Sequence, residues 1–186
     1  MKAAENTSPR EQGAREQVGH RCTTATTSSA ALAPTLPELI AQQEFFKGLN
    51  SRQFEQLAES AMLMKFNTGE QIFSEGDPAN RFFIILEGRV AVESEGKENR
   101  MIPVQTLGPG DDLGWSWLFP PHYLHFSARA LEPVKLLFFY GTRLRHQCES
   151  DPALGYELMK RVGQVLVRRL EAMRHKLAES DGVRNS

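Results

Sequence analysis

FNTGEQIFSEGDPANRFFIILEGRVAV, Phe66 to Val92, is a series of short apolar segments cut by turn formers. Asn67-Thr68-Gly69, Gly76-Asp77-Pro78 and Glu87-Gly88 supply the cuts, and each combination favours a tight turn over continued strand or helix. Between them the uninterrupted run from Phe82 to Leu86 reads as a strand buried on both faces. The same texture extends outward to MLMKF upstream, and to RVAVESEG, MIPVQTL and PVKLLFFYG downstream. Strands of about five residues separated by Gly-, Asn-, Asp- and Pro-bearing turns predict a β-sandwich or jelly-roll barrel.

One segment departs from this rhythm. LGPGDDLGWSWLFPPHYLHFSARA, Leu107 to Ala130, has two glycine turns, a short aromatic helical turn, the Pro120-Pro121 stop and an alternating strand. A chain that turns twice and re-enters a sheet forms a cradle, and amides at the start of its short helix make a natural anion seat.

Helices flank the strands. Leu36 to Leu49 has near-helical apolar spacing with a stop at Gly48, and a second helix starts at Asn50 with Gln53 at the capping-box position. Past Gly141 a short helix from about Thr142 to Cys148 is expected, then a long one capped by Asp151 with Pro152 in its first turn. On the long helix Met159, Val162, Leu166, Leu170, Met173 and Leu177 recur at steps of three and four. That stripe is longer than a small barrel covers, which predicts a homodimer through this C-terminal helix.

The bulk numbers narrow the function. A net charge of -1 gives no general attraction to nucleic acid or anionic membrane. No apolar run reaches the roughly 20 residues of a membrane helix, and the first residues lack a secretion signal, so a cytoplasmic location is expected. Cys22 and Cys148 give neither a disulfide framework nor a metal cluster. The expected organisation is a disordered tail over 1–35, the barrel with its N-terminal helices over 36–140, a hinge helix and long helix over 141–178, and a disordered end over 179–186.

The order helix, helix, about eight strands, short helix, long helix, together with Gly69, Ile72-Phe73, Glu75-Gly76-Asp77, Phe83-Ile84-Ile85, Gly88 and the Leu107/Gly110-Asp111/Gly114 turns, resembles the cyclic-nucleotide-binding domain of bacterial cyclic-AMP receptor proteins (the Crp/Fnr-like superfamily). The resemblance covers about residues 36–178. It implies a mainly β, cupin-like jelly-roll barrel with two N-terminal helices and a long C-terminal helix, acting as a non-enzymatic regulatory module. It also implies that residues 114–130 correspond to the phosphate-binding cassette. There the family has a Gly-Glu start and, about ten residues later, an arginine followed by Ser or Thr and Ala.

This chain keeps Gly114 but has Trp115 at the glutamate position. Aligned on Arg129-Ala130, it has Leu124 for the arginine and His125 for the Ser or Thr. Each charge-assisted hydrogen bond contributes about 1.5 to 3 kcal/mol, so losing two weakens cyclic-nucleotide binding about a hundred- to ten-thousand-fold. Strand alternation places Phe126, Ala128 and Ala130 inward and His125, Ser127 and Arg129 outward, so Arg129 does not replace the missing arginine. The candidate site is therefore Gly114, Trp115, Ser116, Trp117, Leu124 and His125.

Two readings of the tryptophans stand. Either the indoles wall an altered pocket for a flatter, less anionic ligand, or they fill the old cavity and leave a ligand-free interaction scaffold. His122 and His125 are three apart and lack a companion cluster, which disfavours a metal. A haem sensor would use His122, His125, His146, His175 or Cys148 as its axial ligand. Asp111-Asp112 reads as turn chemistry. Only SDGVRNS follows Glu179 in this sequence, so a DNA-binding domain after the long helix is not expected.

Overall fold

The computed structural model describes residues 34–96 and 100–184. The tail expectation for 1–35 lies outside them, apart from Pro34 and Thr35. Two four-stranded antiparallel sheets form the barrel: β1 (Ala61–Phe66), β8 (Val134–Tyr140), β3 (Arg81–Glu87) and β6 (Asp112–Leu113) in one, β2 (Gln71–Phe73), β7 (Ser127–Ala130), β4 (Val90–Glu95) and β5 (Met101–Leu107) in the other. The cyclic-nucleotide-binding type of jelly roll is the observed fold.

The buried run in β3 has a direct structural cause. Its residues alternate between two cores, so neither face is free to be polar. Phe82 and Ile84 meet the helices, as do Leu137 and Phe139 of β8, whereas Phe83 and Ile85 fill the barrel with Leu136 and Phe138. At Gly88, φ is +85° and an added Cβ would lie 2.5 Å from the Pro133 carbonyl oxygen, which explains the glycine.

The first helix is shorter than its spacing implied. α1 spans Leu36–Ala41, and a 3₁₀ turn at Glu44–Phe46 replaces its continuation. The break lets the adjacent Phe45 and Phe46 both enter the core, which a continuous helix would prevent. α2 (Ser51–Ala58) begins as expected, with Asn50 and Gln53 exchanging backbone-to-side-chain hydrogen bonds of 3.0 and 3.1 Å.

α3 (Gly141–Ser150) leads through Asp151 into α4 (Pro152–Arg184). The Asp151 carboxylate accepts from the Leu154 amide at 3.1 Å. α4 continues to Arg184, past the expected stop at residue 178.

The predicted stripe on α4 proves to be two adjoining apolar faces. Leu154, Leu158, Val162 and Val165 are buried against the barrel and helices. Tyr156, Met159, Val167 and Leu170 stand 67, 53, 55 and 68% exposed, about a quarter-turn or more away. Because the faces merge in the sequence, a single stripe drawn between them took Val162 from one and Met159 and Leu170 from the other.

Candidate functional site

The cassette is held from both sides. Gly114 is left-handed (φ +78°) and closes on Arg81, whose carbonyl oxygen would lie 2.5 Å from an added Cβ. A four-residue 3₁₀ turn, Trp115–Leu118, follows. The segment after it is laced to the β2–β3 loop: the Leu124 amide donates to the Asp77 carbonyl (2.9 Å), the Gly76 amide to the Leu124 carbonyl (2.8 Å), and the Ala79 amide to the His122 carbonyl (2.7 Å). The Glu75 amide donates to Ser127 Oγ at 2.9 Å. This contact covers Ser127, which is buried rather than outward as alternation alone predicts.

The candidate residues take different places. Trp117 turns away from the cassette pocket into the helix-side core, 6.0 Å from Phe82, and is buried. Leu124 fills the barrel core. Ser116 is also buried. Trp115 is half-buried, with its ring stacked on His125 at 5.7 Å, and His125 remains exposed. Arg129 pairs with Glu93 on the neighbouring strand at 3.2 Å and lines neither of the two spaces beside the cassette, as its outward register predicts.

Two spaces adjoin these residues. The inner one, bounded by Gly114, Ser116, Leu124, Leu113 and Phe73, holds about 20 Å³. That is room for about one water and far too little for a cyclic phosphate. The outer one holds about 480 Å³, within the range of small-molecule sites. Val92 and Val104 form its sheet wall, Trp115 and Phe126 its cassette wall, and Leu166 and Met173 of α4 its roof. Gln105, His125 and Arg169 are its polar residues, and Leu170 lies at the edge. Trp117 lines neither space, whereas Trp115 borders both; the inner space is nearly closed and the outer one is open.

Arg169 was not among the sequence candidates. Its signal was its place in the series Leu158, Val162, Val165, Arg169, where a cation occurs at a position that should be apolar. Its Nη2 donates to the backbone oxygen of Asp112 and lies 3.3 Å from Asp112 Oδ1. Asp112 is thus more than a turn residue: it is buried on β6 and pins α4 to the barrel. Asp111 does have the turn role, accepting from the Gly108 amide at 2.9 Å. Burial pushes the Asp112 carboxyl above its ordinary range despite the opposing pull of Arg169, and its Oδ2 has no hydrogen-bond partner among the described residues.

Of the five candidate haem ligands only His125 borders the outer cavity. Among the described residues no group of three or more His, Cys, Asp or Glu is placed to hold a metal, and no helix is long and apolar enough to cross a membrane. Gly141, where the expected hinge helix begins, is closely packed: an added Cβ would lie 2.9 Å from Trp117 Cβ. Arg145 Nη1 donates to the Trp117 carbonyl at 2.8 Å, joining α3 to the cassette turn.

A two-sheet barrel with a turn-and-strand cassette beneath a long C-terminal helix defines a class of regulatory domain. Residues 63–151 match the cyclic nucleotide-binding domain family. A putative cyclic nucleotide-binding protein from Geobacter metallireducens GS-15 is 33% identical, with a TM-score of 0.66 over 72% of this chain and 97% of that one. The chain belongs to the cyclic nucleotide-binding domain family. The CRP-like cAMP-activated global transcriptional regulator of Mycobacterium tuberculosis is 26% identical over 144 residues, 77% of this chain and 62% of that protein. The chain thus spans less than two thirds of the length of that curated relative. The regulatory subunit of a cAMP-independent protein kinase A from Trypanosoma brucei, 24% identical over 74% of this chain and 48% of its own, shares the fold with a TM-score of 0.59. The Mycobacterium tuberculosis relative is a transcriptional regulator.

Proposed function

We propose that this chain is a non-enzymatic sensing module that takes a small molecule other than a cyclic nucleotide into its outer cavity and signals through α4. The observation that carries the reading is the contrast between the two spaces: about 20 Å³ at the cassette seat and about 480 Å³ beneath α4. Both charged anchors of the family are replaced, by Trp115 and Leu124, and Leu124 is buried in the core where the arginine's charge would reside. A cyclic nucleotide would have to expand that core and leave its phosphate with Arg169 alone.

The output follows from the roof. Leu166 and Met173 face the ligand space, while Tyr156, Met159, Val167 and Leu170 leave an apolar face uncovered. Gly163 lies within this face, and a second helix could approach closely there. A homodimer through α4 covers that face, and a ligand that moves the roof shifts the pairing. This reading places the protein in the cytoplasm, with no need of a membrane or of DNA contact by these residues.

A thermal-shift screen of a metabolite library, run on the wild type and on Val104→Trp, tests the reading. Stabilisation of the wild type that is lost in Val104→Trp supports it. Silence across the library, with a protein partner recovered by pull-down, points instead to the ligand-free scaffold.

A further inference from the structure

The chemistry of the outer cavity narrows what it accepts, on the premise that this cavity is the sensing site. Its walls are mainly valine, leucine, methionine and aromatic rings. A ligand there must be mostly apolar, because a buried polar group without a partner is costly. Among the described residues Arg169 is the one permanently charged side chain that lines the space, and it lines the inner seat as well.

Arg169 is incompletely used. Nη2 holds both contacts to Asp112, whereas Nε and Nη1 make no hydrogen bond among the described residues. Its side chain is 16% exposed and borders the cavity. A guanidinium with unused donors beside an apolar cavity can hold one oxygen of a carboxylate through a charge-assisted hydrogen bond. The opposing Asp112 already takes up part of its charge, which disfavours a dianion. His125, stacked on Trp115 and exposed at the rim, adds a ring N–H donor toward the same space.

We infer that the cavity binds an apolar monocarboxylate, with its hydrocarbon or aryl body between Trp115, Phe126 and the α4 roof and one carboxylate oxygen on an unused donor of Arg169. The proton stays off the ligand and no bond forms or breaks. Arg169 joins the barrel to α4 through Asp112, so an anion on the same guanidinium acts on that joint directly.

Fluorescence titration of the full chain tests this. Trp115 borders the cavity and Trp117 is buried away from it, so quenching by a naphthalene ring reports the outer site. The probes are 1-naphthoate and its neutral counterpart 1-naphthylmethanol. The expected result is saturable quenching by naphthoate, with the alcohol about ten- to hundred-fold weaker, the range set by one charge-assisted hydrogen bond. Arg169→Gln should remove that difference while retaining alcohol binding. Val104→Trp, which leaves the ion pair untouched, should weaken both. Equal affinity for the two probes in the wild type overturns the carboxylate assignment and leaves the cavity a neutral-ligand site. Quenching by neither also overturns it, and the library screen then shows whether the sensing reading falls with it.

Discussion

Arg169 on the last helix and Asp112 on β6 are bonded across the gap between helix and barrel, with Nη2 3.3 Å from Oδ1. The carboxyl is buried, with one oxygen unpartnered, and its acidity is governed first by burial and only then by the arginine. The joint that carries α4 is therefore one in which desolvation opposes ionisation.

The sign of its pH dependence follows. A carboxyl whose folded pKa is raised from 3.8 contributes stability that is present below that value and is lost as pH rises through the folded pKa. Measured by urea unfolding from pH 3 upward, wild-type stability should fall relative to Asp112→Asn across the carboxyl range. A relative gain would mean that Arg169 outweighs burial.

The two indoles should separate cleanly. Trp117→Ala removes a buried ring from the helix-side core and should cost about 3 to 5 kcal/mol. Trp115→Ala, at a half-buried wall, should cost about 1 kcal/mol. Denaturant midpoints at constant slope check the order, and equal losses would contradict the assignment of the two rings to different spaces.

Gly141→Ala should destabilise by about 1 to 3 kcal/mol even though alanine is the better helix former. The added methyl would lie 2.9 Å from Trp117 Cβ and 3.0 Å from the Asn80 carbonyl carbon. An unchanged or raised Tm would show that α3 is free to shift at its start, as the hinge reading requires.

Burial pushes the Cys148 thiol up to about 11, with Asp151 and Glu149 adding to the shift. At pH 7 to 8 it holds little thiolate, so in a Cys22→Ser background it should react with a disulfide reagent far more slowly than after denaturation. Prompt labelling of the native protein would contradict its placement.

Much of the barrel was legible because its signals are local. Turn glycines, the Asn50–Gln53 box and the Asp151 cap each depend on neighbours within a few residues, and each formed. The reading that both cassette anchors are replaced needed only residue identities at aligned positions. What escaped the sequence was long-range. Which way Trp117 turns depends on Phe82, far away in the chain, and Ser127 is buried by a loop that alternation cannot anticipate. The Asp112–Arg169 joint spans 57 residues, and each partner resembled an ordinary turn or surface charge when read alone.

Calorimetric titration of the full chain with cyclic AMP and cyclic GMP puts the closed inner seat to its most direct test. With Leu124 packed in the barrel core, the proposed loss of both anchors predicts no saturable heat below about millimolar ligand, a loss of the size two missing charge-assisted bonds produce. Saturation by either nucleotide at micromolar concentration would mean that the seat opens and finds its anchors elsewhere.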